Sequence, residues 1–367
     1  MIGKLKLRIV QTGDTKVTLK QVVLLDSSLH KKMIENAGEV KLSADSETTT
    51  QPTPQPTSKP STQPTTPPSA SPSVPNNNPT LRIVPSDKAA TYFRLAEIQS
   101  DLPGKLTPVG QLYDISWTGD KAKVSLAVGS IGNLDITKLG VYRFDLLANK
   151  WIYEGGKLNK TQTELTFMAD QPGLYVLMVY NRTFTDISEH WAREVIEVMA
   201  ARHIAQGITV DKFEPDGLVT RAGFAAFLLR ALDLSSTRET GRTFEDVDKD
   251  SWFAPVVAAA VDFGILNGDT AHIRPNDPVT REEMVVMLMR AYMKTADRKL
   301  DSLGTDELPQ VTFNDAADIS DWSLESLQAA RALGIIEGAG ENRILPKHHA
   351  TRAESLTVIK RMLDLLL

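Results

Sequence analysis

The chain has 367 residues, a formal net charge of −5, 41% hydrophobic and 24% charged residues, and no cysteine. The weakly acidic balance excludes the basic stripe of a nucleic-acid binder, and the lack of cysteine excludes disulfides, thiolate metal sites and cysteine nucleophiles together. No apolar run approaches the ~18 residues of a membrane span, so no membrane insertion is expected, and Met1 to Lys6 does not open a visible signal peptide.

Residues 1–42 read as β-structure. Leu5, Leu7 and Ile9 alternate with Lys4, Lys6 and Arg8 at the period of a half-buried strand, and Val17, Leu19 and Val22 to Leu25 suggest more strands. So few strands do not bury an independent core, and the segment reads as the truncated end of a larger β module. Residues 43–80 are rich in Pro, Thr and Ser, and ten of the chain's 20 prolines fall between Pro52 and Pro79. A composition with so little to bury predicts a disordered linker, extended at ~3.1 Å per residue, either unmodified or O-glycosylated. Residues 81–182 carry short apolar runs between turn signals: Leu81 to Val84, Gln111 to Trp117, Lys123 to Val128, Val141 to Phe144, Trp151 to Tyr153, Glu164 to Phe167 and Tyr175 to Tyr180. This spacing predicts a small all-β sandwich. Tyr142, Phe144, Trp151 and Tyr153 flank Asn149 as an aromatic hairpin, read as cross-strand packing in preference to a sugar site.

From residue 183 the sequence repeats. The predicted units are 183–241, 242–310 and 311–367. Each opens on Phe, any residue and Asp: Phe184 to Asp186, Phe244 to Asp246, Phe313 to Asp315. A Trp follows (Trp191, Trp252, Trp322) and heads a first helix with an apolar stripe, such as Trp191, Val195, Ile196 and Met199. Glycines then turn the chain: Gly207 in the first unit, Gly264 and Gly268 in the second, Gly334 and Gly338 in the third, with His203 where the first unit lacks a glycine. A loop with Pro215, Pro275 or Pro346 leads to Thr220-Arg221, Thr280-Arg281 or Thr351-Arg352, which start the second helix. A period this regular is a repeat array.

Thr280 with Glu283 and Thr351 with Glu354 have the form of capping boxes, whereas Thr220 meets Gly223 and lacks the return carboxylate. The arginines are not needed for the caps, because a cation in the first turn opposes the helix dipole. Free N–H groups at a helix start suit an anion, and a guanidinium fork suits a carboxylate. The structural alternative pairs each Arg with the Asp of a Phe-x-Asp segment, and the two roles are compatible.

In these motifs the segment 184–367 resembles the S-layer homology family. The resemblance implies an all-α, pseudo-threefold array whose inter-unit grooves bind secondary cell-wall polysaccharide, commonly pyruvylated. By position it implies glycan-binding roles for Asp186, Trp191, Gly207 and Arg221, for Asp246, Trp252, Gly268 and Arg281, and for Asp315, Trp322, Gly338 and Arg352. It further implies a location on the bacterial cell surface, other surface-layer proteins as a second partner class, no cofactor and no catalysis, and it gives the β unit a spacer role. Gly223, His203, Glu282 (where Ala is usual) and the insertion Thr295 to Val311 depart from the pattern, so unequal grooves are expected.

Asp246, Asp248 and Asp250 imitate the start of a calcium loop, but Ser251 stands at the sixth position and Val257 at the twelfth. His348 and His349 have no ligand partners at metal spacing. No metal site and no catalytic motif is predicted. Two other readings stay open: a structural lattice protein of the surface layer, and an anchor fragment of a larger surface enzyme or scaffold.

Overall fold

The computed structural model describes residues 15–25, 31–42, 82–85, 104–118, 120–148, 150–234, 243–268, 271–296 and 313–366. The expected strand at Leu5 to Ile9, the Pro/Thr linker and most of the insertion before the third unit lie outside them. The chain divides into a unit of Met1–Val74 and a unit of Pro75–Leu367. In the first, strands β1 (Thr15–Leu25) and β2 (Lys31–Leu42) pair antiparallel, from Thr15 opposite Leu42 to Leu25 opposite Lys31.

The second unit has β-structure followed by helices. Its strands are β3 (Arg82–Pro85), β4 (Lys105–Ser116), β5 (Ala122–Ala127), β6 (Leu139–Asp145), β7 (Lys150–Gly155), β8 (Lys157–Leu158), β9 (Glu164–Ala169) and β10 (Gly173–Asn181). They form one sheet in the order β3-β4-β10-β6-β7 and another in the order β5-β9-β8, all neighbours antiparallel. β5 alternates buried and exposed residues, as a strand with one wet face does. Ile115, Val124, Leu165, Phe167 and Tyr175 share a core between the two sheets. In the β6–β7 hairpin Tyr142 lies opposite Tyr153 and Phe144 opposite Trp151, and three of these four rings are buried, with Tyr153 partly so.

β10 is buried from Tyr175 to Tyr180. A continuous apolar run of this kind belongs to a strand covered on both faces. Here the second cover is the first repeat, whose Ala201 joins the cluster of Tyr142, Trp151 and Tyr180. His203 completes the junction. Its ring stacks on Tyr153 at 4.3 Å and on Tyr180 at 5.3 Å between centroids, and its Nε2 lies 3.3 Å from the Tyr142 hydroxyl. Lys138 pairs with Glu197 at 2.8 Å, and the Arg202 Nε donates to the Thr137 carbonyl at 3.2 Å. His203 has φ 55°, close to the 72° and 71° of Gly264 and Gly334 at the matching helix ends. The departure at His203 therefore keeps the left-handed helix stop and uses the side chain to dock the β-structure.

The α-helices among the described residues are α1 (Arg193–Ala201), α2 (Arg221–Ala231), α3 (Ala254–Asp262), α4 (Arg281–Thr295), α5 (Asp321–Ala332) and α6 (Arg352–Leu366). One core runs through all three units and includes Phe184, Phe244 and Phe313. The second helices α2, α4 and α6 touch one another, while α3 packs on α2, α5 on α4 and α1 on α6. α2 and α4 are buried around most of their circumference, the mark of central helices. The three Trp residues do not belong to the first-helix stripes as the spacing predicted. Trp191, Trp252 and Trp322 are 65%, 60% and 57% exposed, because Trp191 and Trp252 precede their helices and Trp322 lies in the first turn.

Candidate functional site

The Thr-Arg starts meet at the centre. The Val219 N–H donates to the Ala350 carbonyl (3.1 Å), the Ala350 N–H to Val279 (2.9 Å) and the Val279 N–H to Val219 (2.9 Å), closing a ring of three hydrogen bonds. Each helix start also leans on the next unit. The N–H groups of Arg221 and Ala222 donate to the Asp277 and Pro275 carbonyls, those of Arg281 and Glu282 to His348 and Pro346, and those of Arg352 and Ala353 to Gly217 and Pro215. The threonine hydroxyls take the next N–H, at 3.1 Å for Gly223, 3.3 Å for Glu283 and 3.2 Å for Glu354. The first-turn donors are thus consumed within the protein, which corrects the expectation that they are free for an anion.

The arginine side chains cross the same seams. Arg221 Nε donates to the Ile273 carbonyl (3.1 Å) and Nη1 to Glu283 (2.9 Å). Arg281 Nε donates to Ile344 (2.8 Å) and Nη1 to Glu354 (2.5 Å). The acidic partner is the capping glutamate of the next unit rather than the Phe-x-Asp aspartate. Glu283 and Glu354 each also accept from their own cap N–H, of Thr280 at 3.0 Å and of Thr351 at 2.9 Å. Burial alone would raise the Glu283 pKa, but the Thr280 N–H and the Arg221 and Arg274 charges outweigh it and hold the carboxyl below its ordinary range. At the third seam Gly223 stands in place of the glutamate. There Arg352 Nε donates to the Phe213 carbonyl (3.0 Å) and Nη2 to Gln206 (2.7 Å), with the guanidinium 4.4 Å from the Phe213 ring centroid and 5.6 Å from that of Phe227.

The aspartates have a backbone task. Asp186 accepts from the Phe213 (2.9 Å) and Glu214 (2.8 Å) N–H groups, Asp246 from Ile273 (3.0 Å) and Arg274 (2.6 Å), and Asp315 from Ile344 (3.0 Å) and Leu345 (2.7 Å). Glu214, Arg274 and Leu345 all have φ near 55°, a left-handed state that costs a non-glycine residue ~1 kcal/mol or more, and the aspartates hold it in place. These bonds outweigh desolvation and lower the pKa of Asp186 and Asp315. One peptide in each seam is therefore gripped at both ends, its N–H by an Asp and its C=O by an Arg from the preceding unit. Arg221 meets Asp246, Arg281 meets Asp315 and Arg352 meets Asp186, a grouping across units instead of within them.

The glycines serve the same loops. A Cβ on Gly207 would lie 2.5 Å from the Phe184 ring and the Thr209 carbonyl, and one on Gly338 2.8 Å from the Arg343 carbonyl. Gly268 likewise abuts the His272 carbonyl. The close approach these glycines permit is that of their own chain. Glu282, which stands where Ala is usual, is taken up within the protein. It is buried, accepts from Ser320 N–H (3.1 Å), Ser323 Oγ (3.0 Å) and Lys347 Nζ (2.6 Å), and so caps α5 of the third unit. Sequence reasoning missed this role and the ring of backbone bonds. Ser320 and Ser323 before an apolar run were the only signal of a cap in need of a partner.

The S-layer homology domain family matches residues 183–225, 243–285 and 312–354. This segment consists of three S-layer homology domains. An amylopullulanase of Thermoanaerobacterium thermosulfurigenes is 37% identical over 262 residues, 70% of this chain and 14% of that protein. The exoglucanase XynX of Acetivibrio thermocellus is 42% identical over 182 residues (50% of the chain, 16% of the relative), and the S-layer protein sap of Bacillus anthracis 28% over 181 residues (49% and 21%). The chain thus spans only a small part of the relatives it matches. The 262-residue match is longer than the three S-layer homology domains and reaches the residues before them. These domains are cell-wall anchoring modules, and the chain is a cell-surface protein.

Proposed function

We propose that the S-layer homology domains form a pseudo-threefold, non-catalytic anchor whose seams hold an anionic, pyruvylated secondary cell-wall polysaccharide. The observation that carries this reading is the set of three exposed indoles. Trp191, Trp252 and Trp322 stand at equivalent places in the three repeats and each is more than half exposed, whereas tryptophan is highly buried on average. An indole face offers a sugar ring apolar contact that keeps its hydroxyls wet. In this reading the aspartates and glycines shape the loops, the arginines set the charge of each seam, and the tryptophans touch glycan. Three weak contacts add through multivalency. The layout 1–42, 43–80, 81–182, 183–241, 242–310 and 311–367 assigns the working roles: β segment, linker, sandwich spacer and three repeats.

A second reading, favoured by the amylopullulanase and exoglucanase matches, makes this the wall-binding part of a surface enzyme. The anchor proposal is tested by co-sedimentation with purified wall sacculi. The variant with Trp191, Trp252 and Trp322 all changed to Ala is expected to bind at least tenfold more weakly with an unchanged melting temperature. Wild-type binding by that variant refutes the glycan-contact role.

A further inference from the structure

Three grooves of one kind lie where a first helix packs on a second helix. The groove between α6 and α1 has a roof, since Asp135 and Lys138 of the β-structure line it and Lys138 pairs with Glu197 of α1. In the groove between α4 and α5 the wall residues Val286, Met289 and Ser326 are buried. The groove between α2 and α3 has no such cover among the described residues. It is a cavity of about 360 Å³, within the size range of a ligand pocket. Leu229, Leu234, Pro255 and Val256 wall it, and the exposed Arg230 and Asp233 stand at its rim. Counted from the seam arginines and the tryptophans, Leu229 takes the place of Lys360 and Pro255 that of Glu194. The open groove is therefore apolar where the roofed one is charged.

The same chain carries a complementary knob. The turn of the β6–β7 hairpin presents Leu146 and Leu147, which are 61% and 83% exposed. Asp145 Oδ1 accepts from the N–H groups of Leu147 (2.9 Å) and Ala148 (3.0 Å), so the leucines stand on a fixed turn. Asp145 lies opposite Lys150 at the base of that turn, which gives it one charge of each sign, as at the groove rim. We propose that the chain associates head to tail with a second copy, Leu146 and Leu147 of one copy seating in the α2–α3 groove of the next. Burial removes both apolar surfaces from water. Asp145 then faces Arg230 and Lys150 faces Asp233, which fixes one register. The β-structure already roofs one groove of this kind within its own chain, and the contact repeats that cover between chains. Knob and groove are different surfaces, so each added copy leaves one of each open and the copies continue as a row. Chains anchored on a wall meet at high effective concentration, which favours a contact this small.

Sedimentation velocity of the full chain across the micromolar range tests the proposal. The mean mass of the wild type is expected to rise with concentration. A knob variant, Leu146→Ser with Leu147→Ser, and a groove variant, Pro255→Glu, are each expected to weaken self-association at least tenfold. All three positions are exposed, and a glutamate suits the first turn of α3, so both variants are expected to melt with the wild type. The knob variant keeps its groove and the groove variant keeps its knob. An equal mixture of the two is therefore expected to form a one-to-one complex that grows no further. A wild type that stays monomeric throughout overturns the proposal, as does undiminished association in either variant. A mixture that stays monomeric while the wild type associates overturns the pairing of knob with groove. Binding to wall sacculi, which reads the glycan contact separately, is expected to be unchanged in both variants when they are monomeric.

Discussion

His203→Gly probes the junction that makes the β-structure part of the anchor. The substitution keeps a backbone at φ 55° that glycine adopts freely, so what it removes is the ring. The two stacked contacts at 4.3 and 5.3 Å are worth ~0.5–1.5 kcal/mol each, and the bond to the Tyr142 hydroxyl about 1 kcal/mol. Relief of the left-handed penalty returns ~1 kcal/mol, and the added freedom of the unfolded chain withdraws a similar amount. The net loss is about 3 kcal/mol, or a fall in melting temperature of roughly 6–12 °C for a unit of this size. Differential scanning calorimetry at pH 7 measures it. Acid supplies a second arm. Burial pushes the His203 pKa down to about 4 from 6.5, so between those values the unfolded chain binds the proton and the folded chain does not. The contribution is complete above pH 6.5 and is lost as pH falls toward 4, up to ~3 kcal/mol at 1.36 kcal/mol per pH step. Glu197, whose pKa is lowered, responds only at lower pH. Wild type is expected to lose stability from pH 6.5 to 4 more steeply than His203→Gly. A melting temperature that stays level or rises in the variant at pH 7 refutes the docking role.

Glu282→Ala is expected to cost about 1–2 kcal/mol, because it removes the buried carboxylate that the Ser320 N–H and Ser323 Oγ bond, while the exposed Lys347 loses a pair of little weight; urea unfolding with an unchanged m-value checks it. Gly207→Ala forces a Cβ to within 2.5 Å of the Thr209 carbonyl and is expected to lower stability by ~2 kcal/mol, read as a shift of the urea midpoint. A neutral result at Gly207 would mean that the loop has slack the geometry does not show.

Much of the array was legible because its determinants are local. Thr280 and Thr351 with their glutamates announced capping boxes from a spacing of three, and both are formed. The absence of a third box at Gly223 was equally plain. Gly264 and Gly334 marked left-handed helix ends. Most of the strands of the β-structure fell where apolar runs met turn signals, although the two-residue β8 was too short to register. The tryptophans misled, since helical spacing placed them on a buried stripe that begins after them.

The sequence by itself determined the rhythm of three units, their caps and turns, and the set of residue types that recurs, because each of these depends on neighbours within a few positions. Only the tertiary structure decided what those residues meet. Arg221 finds Glu283 across 62 positions, Arg281 finds Glu354 across 73, and Arg352 reaches Phe213 across 139. No local rule orders such pairs. They follow from packing three central helices so that each start lies on the next unit's loop, which turns a missing glutamate at Gly223 into a cation that no carboxylate of the described protein pairs.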